Sequence, residues 1–153
     1  MKLENVDSKM TEQLGIALGK CLFPHSVLTL TGDLGAGKTT LTKSIAKGLG
    51  IKQIVNSPTF TILKIYESGR LPLYHFDAYR LEDAEEDLGF EEYIDGDGVC
   101  VIEWPMYIED LLPKERLEIE ISFIDETTRT FTFKPIGKQY EDVIGEVEAC
   151  IVF

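Results

Sequence analysis

Residues 27–40, Val27-Leu28-Thr29-Leu30-Thr31-Gly32-Asp33-Leu34-Gly35-Ala36-Gly37-Lys38-Thr39-Thr40, decide the fold. A short apolar run feeds directly into Gly32-x-x-x-x-Gly37-Lys38-Thr39, a complete Walker A pattern with a strand before it and a helix after it. Each residue type there has work to do on a nucleoside triphosphate. Gly32, Gly35 and Gly37 let the backbone wrap tightly and aim its N–H groups at phosphate oxygens with no Cβ in the way. Lys38 brings a cation to the β- and γ-phosphates, and the Thr39 hydroxyl is a ligand for Mg²⁺. The helix that starts at the loop adds the positive end of its dipole.

Reading outward, residues 8–22 form an amphipathic helix, with Ser8 as N-cap and Met10, Leu14, Ala17, Leu18 and Cys21 at helical spacing. Pro24 stops it. Ser26–Thr31 is the strand before the loop and Lys38–Leu49 the helix after it, ended by Gly50 at C′. Phe60–Tyr66 and Leu71–Tyr79, joined by Glu67-Ser68-Gly69-Arg70, read as a β-hairpin. Residues 82–95 are acidic and helical or irregular. Val99–Glu103 (VCVIE) is nearly continuous in apolar residues, which marks a buried central strand. Arg116–Ile124 alternates and pairs with Thr130–Phe133 across Asp125–Thr128, and a final helix spans Lys138–Cys150 with Tyr140, Ile144, Val147 and Ile151 on one face. Together these predict an α/β, three-layer P-loop NTPase-like sandwich with a mixed, mainly parallel central sheet plus antiparallel hairpins. With 153 residues and no repeat or linker, residues 1–153 are expected to be one domain.

Charge is unevenly spread. Residues 1–80 carry ten Lys/Arg against six Asp/Glu, a net of +4, whereas residues 81–153 carry five against twenty-one, a net of −16. The half that holds the loop suits a polyphosphate; the acidic half argues against broad binding to a nucleic-acid backbone and serves either solubility or a basic partner. Cys21, Cys100 and Cys150 are scattered, without metal-ligand or disulfide spacing, as in a reduced cytosolic protein. The absence of a leader pattern and of a long apolar run gives the expectation of a soluble, cytoplasmic protein.

Hydrolysis needs more than a phosphate loop: a second metal anchor and a group that positions water. Two acids end apolar strands, Glu103 after VCVI and Asp77 after LPLYHF. The stronger apolar run precedes Glu103, which favours it as the Mg²⁺ anchor, directly or through water. Asp77 then orients or deprotonates the attacking water, with a supporting role behind the metal as the competing assignment. Asn56-Ser57-Pro58-Thr59-Phe60 lies where many P-loop nucleotidases place a mobile loop that senses the γ-phosphate, and Thr59 offers a hydroxyl there, although turn chemistry explains the bare string more often than not. His75, on an otherwise apolar strand, reads first as a hydrogen-bonded core histidine and second as a base or ligand. Arg80 is either an ion-pair partner or a cation for transferred phosphate. Trp104, the single tryptophan, either packs on the nucleotide or anchors the core.

Four strings now stand in one order: Gly32–Thr40, Ser57-Pro58-Thr59-Phe60, Tyr74-His75-Phe76-Asp77-Ala78-Tyr79-Arg80 and Ile102-Glu103-Trp104-Pro105. In order and spacing, over about residues 8 to 105, they closely resemble the bacterial TsaE family, formerly YjeE. The resemblance implies a Mg²⁺-dependent ATPase, weak alone, that binds the TsaB–TsaD complex and supports formation of the threonylcarbamoyl modification on the adenosine beside the anticodon of ANN-decoding tRNAs. The tRNA is then met indirectly, through the complex, and no membrane is involved. Carried over by position, Asp33, Leu34, Gly35, Ala36, Gly37, Lys38, Thr39 and Thr40 hold ATP phosphates, and Thr39 and Glu103 hold Mg²⁺. Thr59 takes the switch position, Asp77 is the acid of the H-x-D-x-Y-R string, Thr11 lies near the adenine, and Trp104 follows the acidic ligand. Phe60 stands where the family often has Tyr and Ala78 where Leu is common; neither removes a polar group the chemistry needs. The segment Glu82–Glu92 resembles a family stretch read as a structured surface near the site and part of the partner interface.

Competing classes fare less well. A GTPase would carry an Asn-Lys-x-Asp string, which is absent, and Asp95-Gly96-Asp97-Gly98 reads as an acidic turn. A small-molecule kinase would carry an arginine-rich lid, yet the segment after Arg80 is acidic. A nucleotide-gated adaptor without hydrolysis remains as the third class.

Overall fold

The computed structural model describes residues 1–32, 37–55, 63–81 and 90–151, without the side chains of residues 80, 81 and 90. The expectations for Asp33, Leu34, Gly35 and Ala36, for Asn56–Phe60 including Thr59, for residues 82–89 and for the Arg80 side chain lie outside the described residues. The strands are β1 (Lys2–Val6), β2 (Val27–Thr31), β3 (Leu63–Tyr66), β4 (Leu73–Asp77), β5 (Val99–Glu103), β6 (Arg116–Phe123) and β7 (Arg129–Ile136). They form one sheet in the order β1-β7-β6-β2-β5-β4-β3. The middle of the sheet, β6-β2-β5-β4, is parallel, and antiparallel pairs flank it: β3 with β4 on one side, β6 with β7 and β7 with β1 on the other.

Register assigns the faces. Leu28 and Leu30 of β2 sit level with Val101 and Glu103 of β5, which sit level with His75 and Asp77 of β4. Residues that are level in neighbouring strands share a face. This face is covered by α1 (Ser8–Cys21), α2 (Lys38–Gly48) and α4 (Lys138–Cys150), whose apolar sides join Leu28, Leu30, Val101, Ile119 and Phe131 in the main core. The opposite face carries a smaller cluster of Val27, Phe76, Ala78, Cys100, Ile102 and Ile108. The short helix α3 (Phe90–Ile94) and the 3₁₀ segment Pro105–Leu111 pack there, making a thin third layer. Among the described residues no helix is long and apolar enough to cross a membrane.

The expected strand Val99–Glu103 is buried along its whole length between β2 and β4. The final helix has the expected bounds, and its Tyr140 accepts a hydrogen bond from the Val27 N–H at 2.9 Å, pinning the start of β2. Two expectations need correction, and one strand was not expected. The N-cap of α1 is Asp7, whose carboxylate accepts from the Met10 N–H at 2.8 Å; Ser8 is already helical. An aspartate fills this role as well as a serine and also complements the helix dipole. The buried stripe of α1 is Thr11, Leu14, Gly15, Leu18 and Gly19, so Met10, Ala17 and Cys21 sit at its margin. And β1 is a strand that the periodicity does not reveal.

Candidate active site

The parallel register brings the chemistry to one edge. β2 ends at Thr31, β5 at Glu103 and β4 at Asp77, with Leu30, Glu103 and Asp77 level across three adjacent strands. Neighbouring strands lie about 4.8 Å apart, so Glu103 is one strand from the loop's origin and Asp77 two. Gly37, at φ 108°, turns the chain into α2 in a conformation that favours glycine. Lys38 is therefore the first helical residue. Its ammonium reaches back across the mouth of the loop and donates to the Gly32 carbonyl at 2.8 Å. Thr39 follows on the same first turn, half-buried, and Thr40 is exposed.

Behind Glu103 the backbone does something costly. Trp104 lies at φ 59°, in the left-handed region that bulky side chains avoid, at a cost on the order of 1–3 kcal/mol. The turn swings the indole over Lys38, whose Nζ sits 3.9 Å from the ring centroid. A cation held against an aromatic face gains about 0.5–2 kcal/mol. Trp104 is half-buried and belongs to neither apolar cluster. Tyr79 packs on it at 5.7 Å between centroids and on Tyr107 at 5.2 Å, so a run of three aromatic rings begins at the indole that covers the lysine.

The two acids have different surroundings. Glu103 is 6 % exposed, and its Oε2 takes a hydrogen bond from His75 Nε2 at 2.7 Å. Asp77 is half-buried, with Oδ1 accepting from the Tyr79 N–H at 3.1 Å. His75 is fully buried, as a hydrogen-bonded core histidine should be, but its one side-chain bond among the described residues goes to the acid at the strand end. Among the described residues no group of three His, Cys, Asp or Glu side chains converges as a metal cage.

Thr11 lies on α1 where that helix meets the first turn of α2. It lines a cavity of about 350 Å³ with Asp7, Gly37 and Thr40, and its hydroxyl donates to the Asp7 carbonyl at 2.8 Å. The opposite wall is one that sequence reasoning missed: Glu126, Thr127 and Arg129 from the β6–β7 turn, with Phe131 behind them. That turn is held by Asp125, whose Oδ1 accepts from the Thr127 N–H, the Thr127 hydroxyl and the Thr128 N–H at 2.8, 3.0 and 2.9 Å. These donors, the Thr127 backbone first, keep the carboxyl ionised below its usual range. Nothing local in the string Asp125–Arg129 links it to residues 7–11; the link is made by β1, which pairs with β7.

The geometry thus joins Lys38, Thr39, Glu103, Asp77 and Trp104 at one edge, with Thr11 and Thr40 in the adjoining cavity. Relatives of this chain share the arrangement's scaffold. The crystal structure of Bacillus subtilis YdiB superposes with a TM-score of 0.83 at 43% identity, over 97% of this chain and 94% of that one. The chain is 50% identical over 147 residues to the tRNA threonylcarbamoyladenosine biosynthesis protein TsaE of B. subtilis strain 168, spanning 96% of this chain and 93% of that protein. It is 40% identical over 149 residues to the protein of the same name from Nostoc sp. PCC 7120, spanning 94% and 91%. A family model described as threonylcarbamoyl adenosine biosynthesis protein TsaE matches residues 6–131. Four motifs read from the sequence, the fold and these matches agree: the chain belongs to the TsaE family, with that family's role in tRNA threonylcarbamoyladenosine biosynthesis.

Proposed function

We propose that this chain is a Mg²⁺-dependent ATPase that binds the TsaB–TsaD complex in the cytoplasm and supports its modification of ANN-decoding tRNAs, which it meets through the complex. The observation that carries the reading is the convergence of Lys38, Glu103 and Asp77 at the C-terminal edge of three adjacent parallel strands. That edge, outside the carboxyl ends of the strands, is where open α/β sheets bind ligands.

In this reading Lys38, already desolvated between a carbonyl and an indole face, exchanges the Gly32 carbonyl for phosphate oxygens. The residues also fit the ion. Mg²⁺ in nucleotide sites takes one or two protein ligands and fills its octahedron with phosphate oxygens and water. One hydroxyl from Thr39 and one carboxylate from Glu103 are such a set, and no all-protein cage is required. When bound, the ion neutralises charge on the β- and γ-phosphate oxygens. Asp77, one strand further from the loop, accepts a proton from the attacking water or orients it. Thr59 belongs to the same chemistry by its motif. The cavity between Thr11 and the β6–β7 turn, beside the first turn of α2, takes the adenosine end of the nucleotide.

Phosphate release by the purified chain, alone and with TsaB–TsaD, tests the reading. We expect slow Mg²⁺-dependent release that rises in the complex, loss of nucleotide binding in Lys38→Ala, and loss of turnover by orders of magnitude in Glu103→Ala with binding partly kept. Wild-type turnover in Glu103→Ala refutes the metal assignment; no release under any condition leaves a nucleotide-gated adaptor.

A further inference from the structure

From the buried pair at the end of the central strands, we infer that His75 is a positioning residue: its Nε2–H clamps one oxygen of Glu103 and leaves the other for the metal. The inference rests on the ATPase reading and adds to it a residue that touches neither nucleotide nor metal. His75 lies level with Val101, two residues before the level pair of Asp77 and Glu103. Its ring therefore sits behind the acids, on the core side of the edge, and reaches forward to Glu103 Oε2 at 2.7 Å. A carboxylate that ligates a metal is ionised and only accepts, so in this reading Nε2 carries the proton and the imidazole donates.

Packing alone does not explain the residue. His75 is 0 % exposed, and its Nδ1 has no hydrogen-bond partner among the described residues. A buried polar atom without a partner costs stability, and an apolar side chain at this point of a buried strand would avoid that cost. What the imidazole adds is direction. Glu103 has two oxygens and a flexible stem; with Oε2 tied, Oε1 is presented in one orientation, and it takes no hydrogen bond from the described residues. Carboxylates and imidazoles that ligate metals are routinely held from behind in this way, and removing the holding group lowers metal affinity about 10–100-fold.

Mn²⁺ uptake, followed by electron paramagnetic resonance on nucleotide-bound protein, tests the clamp in wild type, His75→Leu and His75→Gln, with nucleotide affinity in EDTA measured beside it. A glutamine can donate from its amide where Nε2 stood; a leucine cannot. We expect His75→Leu to weaken Mn²⁺ binding about 10–100-fold, His75→Gln to restore most of it, and EDTA affinity to be the same in all three. Wild-type Mn²⁺ binding in His75→Leu overturns the inference alone, as does a glutamine variant no better than leucine. A wild-type protein that takes up no Mn²⁺ with nucleotide overturns the ATPase reading as well. The unaltered protein gives an independent check, because its other histidine, His25, is exposed. In imidazole ¹⁵N spectra the buried ring should show a protected Nε2–H that shifts when Mg²⁺ is added to the nucleotide complex, while His25 does not; a buried signal indifferent to Mg²⁺ overturns the clamp.

Discussion

Replacing Gly19 by alanine sets two physical effects of opposite sign against each other. Within a helix, alanine is favoured over glycine by about 1 kcal/mol, so a Gly19 that merely filled a helical position would make Gly19→Ala stabilising. The structure predicts the reverse. α1 and α2 cross through Gly15, Gly19 and Gly48, and a Cβ on Gly19 would lie 2.3 Å from the Ile45 carbonyl oxygen and 2.8 Å from Gly48 Cα. Both obstacles are backbone and cannot rotate away. Restoring ordinary contact at ~3.5 Å requires the helices to part by about 1 Å, and a gap of that size forfeits a quarter to a half of the dispersion in each neighbouring contact. Overpacking of this kind costs about 1–3 kcal/mol or more, which outweighs the propensity gain.

Urea unfolding at equilibrium reads the outcome. For Gly19→Ala we expect a net loss of about 1–3 kcal/mol, seen as a lower midpoint at unchanged slope, and a drop of about 2–4 °C in Tm per kcal/mol for a chain of this size. Gly145, in α4, is the control: it is exposed, and a Cβ added there would meet nothing within 4 Å. Gly145→Ala should gain about 0.4–1 kcal/mol. A Gly19→Ala protein as stable as wild type, alongside a stabilised Gly145→Ala, refutes the close crossing. The crossing matters to the site because α1 carries Thr11 and the first turn of α2 carries Thr40, and both line the same cavity.

Three further outcomes follow from the same geometry. Tyr140→Phe removes the acceptor of the buried Val27 N–H and should cost about 1–3 kcal/mol in urea unfolding; a loss below ~0.5 kcal/mol would mean that another acceptor or water replaces it. Burial pushes the Cys100 thiol up to about 12, from 9.0 in the open chain. The unfolded chain therefore releases that proton first, and stability should fall as pH rises from about 9 toward 12, with a shallower fall in Cys100→Ala; identical pH profiles would exclude the thiol as a cause. Asp77→Ala should lower turnover by about 10²–10⁴-fold with little change in nucleotide affinity, as for loss of a general base; a large loss of affinity in isothermal titration would move Asp77 to the metal.

Much of the architecture was legible because its signals are local. Strand, glycine loop and helix are contiguous in residues 27–49, and the nearly continuous apolar run of β5, short and β-branched, marks a strand buried on both faces. What was not legible lacked a hydrophobic signal or lay far away in sequence. β1 buries only Val6, so as an edge strand it shows no alternation; it exists because β7 offers it hydrogen bonds. The stripe on α1 was misplaced toward Met10, Ala17 and Cys21 because periodicity weighs apolar side chains, whereas this helix packs its α2 face with Gly15 and Gly19. Glycine is silent in such a count even where it matters most.

The site divides along the same line. The motifs name Lys38, Asp77 and Glu103, and the stronger apolar run before Glu103 favours it as the metal anchor, but neither run tells where the two acids stand relative to the loop. Strand order supplies their positions: β5 lies beside β2 and β4 beyond it, so Glu103 adjoins the strand that feeds the phosphate loop while Asp77 stands one place outward. The register sets His75 two residues behind both acids, and its hydrogen bond goes to Glu103, although His75 and Asp77 share a strand. A histidine two residues before an acid looks like that acid's partner when read along the chain. Its hydrogen bond instead crosses to the neighbouring parallel strand. The inner acid is thus held from behind by His75, whereas Asp77 Oδ1 takes the N–H of Tyr79, two residues along its own chain.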